Sequence, residues 1–406
     1  MAGIYIHIPF CNSKCAYCGF YSTPSLKLKE RLLEALKAEI VARKDYLHSE
    51  TVNTIYFGGG TPSLLTVEEI DGLLHLINNT FPVSENPEIT LEANPDTLSL
   101  DYLLTLRRVG VNRLSIGIQS FFDNDLQYLS RRHDSHHARQ CINWAKQAGF
   151  DNISIDLIYG LPTSDAKQWN RNLDIFFELS LPHLSAYALT LEPNAILTKQ
   201  IELGKVQPVK EEDALRDYEI LYQQAAANGY LHYEISNFCR RGMHSKHNAS
   251  SWFGTPYAGF GPSAHSFDGI SRQWNESNVA HYCEAFSAAS RHCEERSNPG
   301  KKLPSLDCFV VPPRNDEKRV LEPLVEIEQL TPEQHYNEYV MLRLRTHWGM
   351  DLKWLKREMG ERFSTYCEQH AQPLIAHGRL SQTREFLYLT DEQMLFADGV
   401  AEELFS

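Results

Sequence analysis

Ile4-Tyr-Ile-His-Ile8, continuing as Pro-Phe-Cys11-Asn-Ser-Lys-Cys15-Ala-Tyr-Cys18, is the stretch on which the fold turns. Ile4–Ile8 alternates and is β-branched at every second position, which predicts a strand at the start of the fold. The loop behind it crowds three of the chain's nine cysteines into eight positions. Thiolates are the ligands that suit zinc and iron–sulfur clusters. Zinc sites usually close with four protein ligands from paired knuckles, and no second Cys-x-x-Cys occurs in the chain. Three thiolates on one short loop leave the fourth corner of an iron–sulfur cubane free. An exchangeable small molecule is expected at that open iron.

Outward from this loop, a strand–helix alternation fills residues 3 to about 235. Strands are predicted at Ile4–Ile8, Thr54–Phe57, Ile89–Glu92, Arg113–Ile118, Ile153–Ile158 and Leu184–Leu189. Amphipathic stretches of helical period lie between them, such as Leu28–Leu47, Val67–Thr80 and Asp213–Ala227. Successive βα units imply a parallel sheet with right-handed crossovers, and six of them make an open, partial barrel. In such folds chemistry sits beyond the carboxyl ends of the strands. Cys11 follows the first strand, Gly58 the second, Glu92 ends the third, Gln119 follows the fourth and Asp156 closes the fifth. Core packing alone would not require five such features on one rim.

Residues 289–319 break the pattern, being rich in charge and proline and without periodicity. They resemble a translated interspersed repeat, and a disordered or loosely packed surface insertion is expected, with Cys293 and Cys308 outside any site. Thr331 to Ser406 reads as a small separate domain. Thr331 and Gln334 form a capping-box pattern, helices are expected near Leu352–Met359 and Phe363–Ala376, and strands near Leu380–Ser381 and Phe386–Leu389 precede a last helix from Thr390. The fold class is therefore α/β: a partial, TIM-like (β/α)6 barrel with a C-terminal winged-helix-like α+β domain. The expected divisions are 1–235 for the barrel, 236–288 for an extension, 289–319 for the insertion and 320–406 for the winged unit.

The chain has 406 residues, 42% of them hydrophobic and 22% charged, which fits a folded protein of more than one domain. A net charge of −13 argues against broad binding to nucleic acid or anionic lipid. No apolar run approaches the roughly 20 residues a membrane span needs. The N-terminus lacks the basic flank of a signal peptide. An odd cysteine count without an export signal points to the cytoplasm, and the six cysteines outside the loop show no ligand-like spacing.

The Cys-x3-Cys-x2-Cys loop after a first strand resembles the radical S-adenosylmethionine (AdoMet) superfamily. That resemblance implies a [4Fe–4S] cluster on Cys11, Cys15 and Cys18, with AdoMet chelating the open iron. Gly58-Gly-Gly-Thr61-Pro62, a turn where backbone approaches a ligand closely, resembles the superfamily's AdoMet amino-group motif. Tyr5–Cys11, Leu91–Thr97, Arg113–Phe121, Asp156–Pro162 and Gly259–Ser266 look like the coproporphyrinogen-oxidase-like branch. By position the resemblance implies AdoMet contacts at Tyr5, Tyr17, Gly59, Gly60, Thr61, Glu92, Gln119, Arg131 and Asp156. Carboxylates suit ribose hydroxyls and an ammonium, and Gln and Arg serve the remaining polar edges. No catalytic residue is assigned.

Two absences separate heme chaperones from oxidases within that branch. The oxidases carry a fourth cysteine two places after the third, where this chain has Phe20, and several tens of residues before the loop, where this chain has ten. Both favour a chaperone without coproporphyrinogen oxidase activity. His247-Asn-Ala-Ser-Ser251-Trp252 resembles the HNxxYW signature of the chaperone members, with Ser251 in the usual tyrosine's place. It nominates His247 as a heme ligand. A structural hydrogen-bond pair between His247 and Asn248 is the alternative, and His244 and His265 are nearby imidazoles. The implied partners are heme, a heme-acceptor protein and a reductant, with room for a homodimer. A radical decarboxylase of porphyrinogen propionates and a radical enzyme on an unrelated substrate stay open at this point.

Overall fold

A computed structural model of the chain describes residues 1–193, 195–286 and 325–406. Six strands run parallel and in chain order: β1 (Ala2–Ile8), β2 (Val52–Gly59), β3 (Val83–Ala93), β4 (Arg113–Gln119), β5 (Asn152–Tyr159) and β6 (His183–Ala188). Helices Lys29–Ala42, Val67–Thr80, Leu100–Arg108, Ser135–Gln147 and Ala166–Glu178 form the crossovers. The helix expected over Leu28–Leu47 ends at Ala42. Arg43, its C-cap, turns inward to Glu39 and Gly259.

The strands alternate strictly. Ile4, Ile6, Ile55, Phe57, Leu91, Leu114, Ile116, Ile155 and Leu157 belong to the main apolar core. The residues between them carry polar groups: Tyr5, His7, Thr54, Tyr56, Glu88, Thr90, Glu92, Arg113, Ser115, Ser154, Asp156, His183 and Ser185. Successive strand residues point to opposite faces, so one face packs on helices while the other lines a polar barrel interior.

Among the described residues the sheet has twelve strands, the six parallel ones flanked by two on the β6 side and four on the β1 side. A hairpin of β7 (Leu231–Glu234) and β8 (Asn237–Cys239) covers the β6 edge. β9 (Tyr257–Phe260) lies parallel to β1 and is followed by β10 (His265–Phe267), β11 (Ser271–Asn275) and β12 (Val325–Gln329). Both edges of the parallel core are thereby hydrogen-bonded, and the sheet's outer edges pass to the short strands β7 and β12. Between β8 and β9 the chain crosses from one edge to the other through the helix Lys246–Trp252. That helix lies against the amino ends of the strands, where His247 meets Thr54 and Glu88.

Beyond β12, Thr331 and Gln334 close the expected capping box on the helix Pro332–Leu344. Helices Leu352–Met359 and Glu361–Ala376 follow. A three-stranded sheet orders β13 (Met350–Asp351), β15 (Phe386–Tyr388) and β14 (Ser381–Gln382) as β13-β15-β14. The last helix starts later than Thr390: a 3-10 turn at Met394–Phe396 leads into Ala397–Glu402. These elements share their own core around Tyr336, Leu355 and Leu387. Backbone bonds from Ile235 to Arg345 (3.0 Å) and from His347 to Tyr233 (3.1 Å) tie them to the β7–β8 hairpin. The proposed insertion, with Cys293 and Cys308, lies outside the described residues. Among the described residues no helix is long and apolar enough to cross a membrane.

Candidate functional site

The thiol loop is placed by the residue in its middle. Ala16 is buried against Leu129, Ile158 and Leu197, donates its N–H to Leu129 O (3.2 Å) and accepts from Leu197 N (2.8 Å). Cys11, Cys15 and Cys18 are left half-buried at the mouth of a cavity of about 490 Å³ at the carboxyl ends of the strands. Burial pushes the Cys11 and Cys18 thiols up. At Cys11 the Thr61 hydroxyl, 3.5 Å from Sγ, opposes the rise; Arg131 Nη1 lies 3.2 Å from Cys15 Sγ. Among the described residues no three His, Cys, Asp or Glu side chains converge as a single ion requires. Three half-buried thiols around one mouth suit a cluster, which takes one thiolate at each of separate corners. Cys141, Cys239, Cys283 and Cys367 are buried elsewhere.

The glycine turn forms one wall. A Cβ on Gly60 would stand 2.6 Å from Phe10 O and 2.9 Å from Ile8 O, so only glycine lets β2 run this close to the thiol loop. Gly59, at φ +107°, donates its N–H to Glu92 Oε2 at 3.1 Å. Glu92 Oε1 takes the Tyr56 hydroxyl at 2.7 Å. Burial pushes the Glu92 carboxyl up to about 7 against those two donors, and lifts Asp156 to about 6 against Ser185 and Arg113. Gln119, the last residue of β4, adopts φ +66°, a strained conformation of the kind that costs about 1–3 kcal/mol and is tolerated where it positions a functional group.

Eight of the nine nominated AdoMet positions line this cavity together: Tyr17, Gly59, Gly60, Thr61, Glu92, Gln119, Arg131 and Asp156. Tyr5 does not. Its ring lies beneath Gly58, stacked on Tyr56 at 6.1 Å and bonded to His7 Nδ1 at 3.1 Å. Asp156 sits inside β5, which runs on to Tyr159, and so reaches the cavity from within the barrel. Asn94 went unnominated although it stands in the quoted Leu91–Thr97 motif. It donates to Thr61 Oγ1 (3.0 Å) and accepts from Arg131 Nη2 (2.7 Å), completing a belt from Cys11 to Cys15. Arg113 was missed as well. It is 1% exposed inside the barrel, with Nε and Nη1 unpartnered among the described residues. The strict alternation of β4 is the signal that would have turned it inward.

His247 is not at this cavity. Its Nδ1 lies 2.8 Å from Thr54 Oγ1, its ring stacks on Tyr56 at 4.9 Å, and its backbone N–H bonds Glu88 at 3.1 Å. The ring's partner is thus Thr54 and not Asn248. Burial lowers its pKa to about 3.

Residues 5–174 match the radical SAM superfamily, and residues 330–396 match the HemN C-terminal domain. The heme chaperone HemW of Mycobacterium tuberculosis is 30% identical over 406 residues, covering 99% of this chain and 94% of that protein. The chain belongs to the HemW family. HemW of Bacillus subtilis is 31% identical over 403 residues, or 98% of each chain, and HemW of Escherichia coli is 37% identical over 270 residues, covering 64% of this chain and 69% of that one. The solved structure of coproporphyrinogen III oxidase (HemN) of E. coli superimposes with a TM-score of 0.79, over 100% of this chain and 90% of that one, at 22% identity. That likeness fixes the fold: a radical SAM barrel with a HemN-type C-terminal domain. Likeness to the radical SAM superfamily implies a [4Fe–4S] cluster and AdoMet, and three half-buried thiols beside a polar cavity are of a chemistry that fits both.

Proposed function

We propose that this chain binds heme and passes it to an acceptor protein in the cytoplasm, while Cys11, Cys15 and Cys18 hold a [4Fe–4S] cluster and the adjoining cavity takes AdoMet. The observation that carries the chaperone reading is Phe20. Two places after Cys18, where the oxidases place a further thiol, the chain presents a ring that is 72% exposed on the cavity lining.

Cys11, Cys15 and Cys18 would hold the cluster, which would supply one-electron reduction at the cavity when fed by an external reductant. The chain's own residues then have separable tasks. Arg131 and Thr61 stabilise thiolates on Cys15 and Cys11, and Asn94 orients both donors. The Gly59–Gly60 turn allows backbone contact with the amino acid end of the ligand. Glu92 and Asp156 accept from its hydroxyl or cationic groups, Gln119 and Tyr17 close round the rest, and Tyr5 supports Tyr56 from below.

Glu92 sets a pH signature. Its folded-state pKa of about 7 stands above the ordinary 4.5, so the folded apo protein keeps a proton that the unfolded chain releases. Its contribution to stability is complete below about pH 4.5 and drains away as pH climbs to about 7. Ligand binding has the opposite sense, because the ionised carboxylate is the better acceptor. AdoMet affinity, titrated anaerobically on reconstituted protein, should rise between about pH 6 and pH 8 with proton release at the lower end. In Glu92→Gln the slope should flatten and affinity at about pH 8 fall roughly tenfold. A variant with wild-type slope would remove Glu92 from the ligand's contacts.

The functional test is an anaerobic preparation offered coproporphyrinogen III or hemin in parallel. Hemin should give a Soret band that transfers to an apo-hemoprotein, with no decarboxylated porphyrinogen. Multiple-turnover decarboxylation would replace this reading with the oxidase one.

A further inference from the structure

A second cavity, of about 360 Å³, lies where the β10–β11 hairpin and the end of the helix Lys246–Trp252 meet the C-terminal helices. It shares no lining residue with the cysteine cavity. Tyr339 and Trp354, stacked at 4.4 Å and 18°, line it, and Trp252 adds a third ring to the lining. Two imidazoles line the same space, His265 from β10 and His335 from the helix Pro332–Leu344. A guanidinium, Arg272, stands at its side, 38% exposed and 2.8 Å from the Glu338 carboxylate.

We infer that this cleft is where heme is received, with His265 as the axial ligand of the iron and Arg272 as the cation for a propionate. The inference rests on the heme-binding reading above and names its site. A porphyrin needs broad flat apolar contact, an imidazole lone pair for the metal and a cation for its carboxylates, and the cleft offers all three together. His265 is exposed and stacks on Trp274 at 5.8 Å, which steadies the ring. Partial desolvation of the ring and the nearby Arg272 lower its pKa, which favours the neutral imidazole, the form that ligates iron. His247 is differently placed. Its ring is closed in by Thr54 and Tyr56, and iron would reach it only if the helix Lys246–Trp252 left the barrel floor. We assign it instead as a positioning residue, which anchors the start of that helix so that Trp252, at the end, reaches the cleft.

The test is a hemin titration of the full-length, cluster-reconstituted chain and its His265→Ala, His335→Ala and His247→Ala variants. Cluster content and melting midpoint serve as folding controls. His265→Ala should shift the Soret band and weaken binding about tenfold or more, with the band restored by added imidazole, a rescue that a merely structural role would not show. His335→Ala should keep the band. If His265→Ala binds hemin like the wild type while a folded His247→Ala or His335→Ala does not, the assignment of iron to His265 is wrong although the heme reading stands. If the wild-type chain itself binds no hemin, the heme reading fails first.

Discussion

Alanine at any one of Cys11, Cys15 or Cys18 should abolish the cluster. After anaerobic reconstitution, iron and acid-labile sulfide should fall to background and AdoMet binding should go with them. Alanine at Cys141, Cys239, Cys283 or Cys367 should leave both intact. The reason is the small number of anchors: in the proposed site the loop supplies three thiolates and leaves the fourth corner to an exchangeable ligand, so losing one would leave too few to retain the cubane. Folding should survive the change. The three thiols are half-buried, and the loop is held by Ala16 through its apolar contacts and its two backbone bonds to Leu129 and Leu197. Near-wild-type circular dichroism with no iron is therefore the expected pair of results. Full iron in a triple alanine variant, or zinc in the wild type, would overturn the metal assignment.

The second large effect concerns stability. Glu39 is fully buried on the first crossover helix. It pairs with Arg43 at 2.9 Å, accepts from Gly261 N at 2.9 Å and Asn275 Nδ2 at 2.8 Å, and takes the Tyr282 hydroxyl. Arg43 in turn donates to Gly259 O at 2.7 Å and Ser266 Oγ at 2.9 Å. One buried carboxylate thus ties the barrel to β9, β10 and β11, the strands that carry His265. Glu39→Ala leaves the Arg43 guanidinium buried without its counter-charge and several donors unmatched, which costs about 3–5 kcal/mol. Urea titration should show that loss in full. Glu39→Gln, which keeps acceptor and shape but not charge, should lose less. A loss below about 1 kcal/mol in the alanine variant would mean that Arg43 finds solvent or another anion.

The barrel was legible because its signals are local. Each of the six strands announces itself by alternation, each crossover by helical period, and the features on the carboxyl rim follow from strand order alone. Most of the positions that line the cysteine cavity lie in motifs that can be quoted directly. Asn94 and Arg113 stood in the same motifs and were passed over, because a polar residue inside a strand motif reveals its partners only when neighbouring strands are in register. Tyr5 shows the converse. It belongs to the motif, but the pleat turns its ring beneath Gly58 and away from the cavity.

What the sequence by itself determined is the thiol spacing, the order and direction of the six parallel strands, and the capped helix that opens the C-terminal domain. These depend on contacts within a few residues, where spacing dictates geometry. Only the tertiary structure decided that the sheet doubles in width, that Glu39 reaches residues more than two hundred positions away, that His247 closes the barrel floor, and that an aromatic cleft with two imidazoles forms against the C-terminal helices. Those features come from burying strand edges and polar side chains against distant partners, and no local pattern records which distant partner will be there.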